Sequence, residues 1–160
     1  MDDQSIESLV KGKWKYFYRA VDSNGDTIDF MLSAKRDRKA AKRFFKKALS
    51  SNHNQIPRVI TVDKNPAYPP AIDELKNEMK LSKNVGIRQI KYLNNIVEQD
   101  HRSIKRIITQ MLEFQSFRSA SKTLKRIEAM NMVKKRQVNN LNYSVLNEVK
   151  YINQFFGIIL

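Results

Sequence analysis

The chain of 160 residues contains no cysteine. That excludes disulfides, thiol catalysis and thiolate metal sites. Glycine and proline are scarce, four of each, and there is neither a glycine-rich phosphate loop nor a low-complexity linker. No apolar run approaches the roughly 20 residues a membrane span needs. Met1 to Val10 is acidic and lacks the basic, apolar pattern of a signal peptide. These absences predict a soluble, intracellular protein with no membrane partner. Acid is in short supply too. Sixteen Asp and Glu face thirty Lys and Arg, giving a net charge of +14 and a pI near 10.0. A field of that sign draws polyanions, chiefly nucleic acid. The plainer reading is charge that only keeps the protein in solution. The hydrophobic share of 41% suits one globular domain with a single core.

Periodicity predicts an α/β layout with a mixed sheet. Residues 14 to 21 are rich in aromatics, Thr27 to Leu32 alternates with Ile28, Phe30 and Leu32 on one face, and Asn24-Gly25 lies between them. That is the signature of an antiparallel hairpin. Arg36 to Leu49 changes to helical spacing, with Ala40, Ala41, Phe44, Phe45, Ala48 and Leu49 inward and a basic outer face. Such a helix also suits anionic lipid. Arg58 to Asp63 reads as a short buried strand ending in a carboxylate, Ala71 to Met79 as a helix, and Ile87 to Tyr92 as a strand. Asn94 suits the cap of a helix running through Glu98, Arg102 and Lys105. Phe117, Ala120, Leu124, Ile127 and Met130 stripe the next helix; Val145, Val149, Ile152, Phe156 and Ile159 stripe a last one.

Two carboxylates stand out by context. Asp63 ends a buried strand, where ligand sites of open α/β sheets gather. Glu98 shares a helix face with Arg102 and Lys105, four and seven residues on. Carboxylates beside a cationic row suit phosphoryl transfer, in which acids hold divalent metals and cations hold phosphates. The plainer readings are a strand-end turn former for Asp63 and an exposed salt bridge with Arg102 for Glu98.

Lys11-Gly12-Lys13-Trp14-Lys15-Tyr16-Phe17-Tyr18-Arg19-Ala20-Val21-Asp22 resembles the early hairpin of DDE transposases from small bacterial insertion sequences, in particular the insertion-sequence-six family. Val59-Ile60-Thr61-Val62-Asp63 is similar to that family's second-aspartate strand, and Tyr92 through Lys105 to its signature helix. The 34 residues between Asp63 and Glu98 match the family's spacing, and Ser116 to Ala120 and Ile127 to Met130 continue the likeness. The resemblance implies a ribonuclease-H-like fold, the integrase and transposase catalytic core, with helices flanking the sheet. It implies two Mg²⁺ (or Mn²⁺) ions held by three carboxylates, and cleavage and strand transfer at the element's terminal inverted repeats into target DNA. Asp63 and Glu98 would then be catalytic metal ligands, and His101, Arg102, Lys105 and Arg106 would contact DNA. A homodimer or a full-length transposase is the implied protein partner, and the bacterial cytoplasm, at the nucleoid, the implied location.

The family's first aspartate opens the motif Asp-Glu-Thr-Tyr, ten residues before the tryptophan that matches Trp14. Here Gln4-Ser5-Ile6-Glu7 stands in its place. Asp3 is one residue off and so on the opposite face of a strand. Asp2 is two residues off, about 6.6 Å along a strand, and metal coordination tolerates only tenths of an ångström. The resemblance therefore divides the chain into a non-matching N-terminus (1–10), a DDE core lacking its first Asp (11–138) with a degenerate first strand and an incomplete metal site, and a C-terminal helix (139–160). The upstream helix-turn-helix of the family is not seen, so the chain reads as N-terminally truncated and inactive alone. Two alternatives stay open: a non-catalytic DNA-binding or dimerising remnant, and an RNA-binding module stacking bases on Trp14, Tyr16 and Tyr18.

Overall fold

The computed structural model describes residues 2–50, 56–90, 95–110, 114–138 and 141–157. Five strands form one sheet in the order β3-β2-β1-β4-β5, made of β1 (Asp2–Val10), β2 (Lys13–Val21), β3 (Thr27–Ser33), β4 (Val59–Val62) and β5 (Gly86–Gln89). β1–β2 and β2–β3 are antiparallel, whereas β1–β4 and β4–β5 are parallel. The first strand, expected to be degenerate, is paired on both sides. It pairs with β2 from Asp2↔Val21 to Val10↔Lys13, and its start lies beside β4 through Asp2↔Thr61 and Asp3↔Val62.

The helices are α1 (Arg38–Leu49), α2 (Tyr68–Asn77), α3 (Asn95–Gln110), α4 (Phe117–Lys134) and α5 (Val145–Phe156). The expected strands and helices recur with ends moved by a few residues. The proposed cap of α3, Asn94, and the end of the α5 stripe, Ile159, lie outside the described residues. α1 starts where the Asp37 carboxylate accepts a hydrogen bond from the Ala40 amide at 2.8 Å. Proline in the first turn of α2 occupies positions whose amides have no helical partner in any case.

The side chains of β2 alternate between two layers. Tyr18 and Ala20 join Ile60 and Val62 under Ala41, Phe44 and Phe45 of α1 and Ile72 and Leu75 of α2. Phe17 faces the other way, onto Ile104 and Ile108 of α3 and Leu124 of α4. The result is a three-layer α/β/α arrangement.

Two local expectations change. Ile28 packs in the α1/α2 layer while Phe30 and Leu32 pack in the α3/α4 layer. The cause is a bulge: Val21 pairs with Thr27 and Ala20 with Asp29, so Ile28 is the extra residue and the alternation breaks there. On α5, Val145, Leu146 and Val149 are exposed rather than buried.

Candidate functional site

Asp63 follows the last residue of β4 and is partly buried. Its Oδ1 accepts a hydrogen bond from the Asn65 amide at 2.8 Å, so the turn-forming role is real. Its Oδ2 is paired with Arg36 Nη2, also at 2.8 Å, from the segment joining β3 to α1. Glu98 lies in the first turn of α3, where the positive end of the helix dipole favours an acid. It is partly buried and makes no ion pair with Arg102 among the described residues.

The β1–β4 register bears on the surroundings of Asp63. Parallel pairing runs Asp2↔Thr61 and Asp3↔Val62, so Gln4 and Asp63 are the next residues along the two segments beyond that ladder. Among the described residues no group of three or more His, Cys, Asp or Glu could hold a metal ion. Among the described side chains a three-carboxylate set for two Mg²⁺ is not found, and one candidate acid, Asp63, is tied to an arginine.

Arg102, Lys105 and Arg106 are exposed on α3, on the side of the helix that also carries Glu98. His101 is not among them. It is only 3% exposed and faces the core. Burial foremost, then the nearby Arg19 charge, push its pKa down to about 3, so the ring is neutral. A neutral, buried imidazole offers no charge to a phosphate, so His101 does not stand with the exposed cations of α3 that were expected beside it. The aromatic stacking platform fails for a similar reason: Tyr18 is fully buried in the α1/α2 layer and only Trp14 is well exposed.

Sequence reading missed a buried ionic cluster behind α3. Arg19, in the middle of β2, is completely buried. Its Nε donates to Glu128 of α4 at 2.5 Å, its Nη2 donates to Thr27 Oγ1 at 2.9 Å, and its Nη1 is ion-paired with Asp100 of α3. Lys135, at the end of α4, pairs with Asp100 at 2.5 Å. The Gln137 side chain then clasps the Thr27 backbone, accepting from its N–H at 3.0 Å and donating to its C=O at 3.3 Å. Two cations thus face two carboxylates with no net charge, as burial demands. Burial is the largest influence on both acids. It raises Glu128, whereas at Asp100 Lys135 and Arg19 together outweigh it and hold the carboxyl below its usual range. The signal in the sequence was an arginine inside an apolar strand and a glutamate inside the apolar stripe of α4.

Strand order, strand directions and three-layer packing define a class: this is the ribonuclease-H-like fold of integrase and transposase catalytic cores. Solved structures agree on the fold. The chain is similar to the HTLV-2 integrase catalytic core domain in complex with magnesium, with a TM-score of 0.50 at 16% identity over 69% of each chain. It is similar to a chain of the simian T-cell lymphotropic virus intasome in complex with PP2A regulatory subunit B56 gamma, with a TM-score of 0.50 at 15% identity over 68% of this chain and 39% of that one. Within the class the family is specific. Residues 7–137 match the model described as a DDE domain, and the chain belongs to that DDE transposase family. It is 35% identical over 132 residues to the transposase for insertion sequence-like element IS431mec of Staphylococcus aureus, and equally to the transposase for insertion sequence element IS257 in transposon Tn4003 of the same species. Each match covers 82% of this chain, which spans 56% of the length of those relatives. Among the described residues no helix is long and apolar enough to cross a membrane.

Proposed function

We propose that this chain is the catalytic-core portion of an insertion-sequence transposase, a scaffold for DNA cleavage and strand transfer at terminal inverted repeats, which in this copy binds DNA but does not cut it unaided. The observation that carries the reading is the register across β1 and β4. Its last pair, Asp3↔Val62, is followed by Gln4 on β1 and by Asp63 after β4, and we read Gln4 as standing where the family keeps an aspartate. Asp63 and Glu98 are then the second and third members of the metal-facing set, for Mg²⁺ or Mn²⁺, and the set lacks its first. Two acids without the third hold a divalent cation weakly, because hard cations draw their affinity from the number and charge of their oxygen ligands. The non-catalytic alternative, a DNA-binding or dimerising remnant, is favoured by the same observation and by the Arg36 guanidinium on the Asp63 carboxylate.

Arg102, Lys105 and Arg106 are the DNA contacts on α3 in this reading, and they serve backbone phosphates rather than bases. The experiment is incubation of the purified chain with end-labelled duplex carrying the inverted repeat, in Mg²⁺ and separately in Mn²⁺. Bound but uncut duplex is the expected result. Metal-dependent nicking that Asp63→Ala abolishes would overturn the proposed inactivity and leave the transposase assignment standing. A chain that binds no duplex at any salt would sink the assignment itself.

A further inference from the structure

The surface charges of this protein are sorted between its two helical layers. On the α1/α2 side the acids neutralise their neighbours: Arg38 pairs with Glu74, Lys42 with Glu74 and Glu78, Lys80 with Glu78, and Lys47 with Asp29. On α4 the only acid is Glu128, and it is buried against Arg19. The outer face of that helix is different. Arg118, Lys122 and Lys125 stand at i, i+4 and i+7, all exposed and none in an ion pair among the described residues, opposite the buried seam of Ala120, Leu124 and Glu128. Like charges three and four residues apart on a helix repel one another and cost stability. No carboxylate on α4 relieves that repulsion, and charge kept for solubility alone does not require one unbroken sign along a helix face.

We propose that Arg118, Lys122 and Lys125 form a second phosphate-binding track, on α4, that grips the backbone of duplex DNA in addition to the row on α3. The inference rests on the DNA-binding reading above and assigns to that binding a surface beyond Arg102, Lys105 and Arg106. Length supports it. Seven residues of helix span about 10 Å, the axial rise of about three phosphates of one strand. Chemistry supports it as well: the row holds point charges and no side chain whose geometry reads a base edge in pairs, apart from Arg118. The track therefore adds affinity without adding sequence preference. Lipid and single-stranded RNA share the anionic chemistry, but the regular spacing of one charge row matches the regular phosphates of a duplex.

The test measures duplex affinity by fluorescence anisotropy from 50 to 300 mM NaCl for the full chain and three variants. One carries Arg118→Gln, Lys122→Gln and Lys125→Gln. A second carries Arg102→Gln, Lys105→Gln and Arg106→Gln. A third removes the same charge elsewhere through Lys39→Gln, Lys46→Gln and Lys83→Gln, all at exposed positions. Each lost phosphate contact lowers the slope of log affinity against log salt by about 0.9. The α4 variant is expected to lose about two to three units of slope, and the third variant less than one. Equal slopes for the α4 variant and the third variant would overturn the proposal. An effect of the α3 substitutions alone would also overturn it, while leaving the DNA-binding reading intact; no duplex binding by the parent chain would end both. Loss of binding to anionic vesicles or single-stranded RNA, with duplex binding unchanged, would assign the stripe to another ligand and overturn the proposal. Thermal melts of all four proteins separate a binding loss from an unfolded variant.

Discussion

His101 stands one residue before an exposed arginine and keeps its own ring in the core. Its neutrality has a thermodynamic consequence. The folded pKa is about 3, below the 6.5 of the unfolded chain. As pH falls through 6.5 the unfolded state takes up a proton that the folded state refuses, so stability falls with it. The contribution is complete above pH 6.5 and is lost progressively toward pH 3. By pH 5 the loss due to this residue is about 2 kcal/mol. Urea unfolding of the parent chain and of His101→Gln at pH 5 and 7 measures it: the stability gap between the two pH values should shrink by about that amount in the variant. An unchanged gap would mean that the imidazole charges freely in the folded protein. Helical spacing alone placed His101 near the cationic face, and only packing shows which way the ring turns.

α3 reaches the sheet through apolar contacts of Ile104 and Ile108 and through one ion pair, that of Arg19 with Asp100. Asp100 is two residues beyond Glu98, so the Arg19 cluster fixes the stretch of helix that carries the candidate acid. Removing a single member leaves uncompensated charge in the interior, which typically costs 3–5 kcal/mol. Arg19→Met is expected to destabilise the protein by about 3 kcal/mol or more in urea unfolding. Arg19→Lys should recover only part of the loss, because a lysine ammonium cannot reproduce the fork that meets Glu128, Thr27 and Asp100 together. Full recovery by lysine would show that charge rather than geometry holds the cluster. The elements around this cluster differ in how openly the sequence declares them. The β2–β3 hairpin, α1 and β4 carry their own signals: an Asn-Gly turn, a helical apolar repeat and a β-branched run. β1 carries almost none, since Asp2 to Glu7 is mostly polar, and its strand is imposed by β2 on one side and β4 on the other. The same tertiary logic hid Glu128, which the apolar stripe of α4 does not single out and which packing makes the partner of Arg19. The motif carrying Asp63 and Glu98 was legible because strand-end and helix-face positions are local features. The Arg36 partner of Asp63 was not, because 27 residues separate the two.

At the scale of the whole molecule, charge and connectivity point to the same division. The net charge of +14 is spent unevenly, cancelled in part across α1 and α2 and, among the described residues, left without an ion pair at Arg118, Lys122 and Lys125 of α4. In the proposed reading, binding should therefore depend steeply on salt, and absence of cutting should coexist with affinity, since the two draw on different residues. The sheet is uneven as well. Nine residue pairs join β1 to β2, but among the described residues only two join β1 to β4. Gln4 and Asp63 flank that short ladder. In mechanical terms the sheet is two plates with a brief weld, a β1–β2–β3 plate and a smaller β4–β5 plate that carries α2. A weld of that length opens before either plate does, because local opening is cheapest where the fewest hydrogen bonds must break at once. Amide exchange should show it: protons bridging β1 and β4 are expected to exchange ahead of those between β1 and β2, with the β4–β5 plate loosening as a unit. The Arg36–Asp63 ion pair runs from the segment after β3 to the residue after β4, so it works as a rivet between the two plates beside that weld.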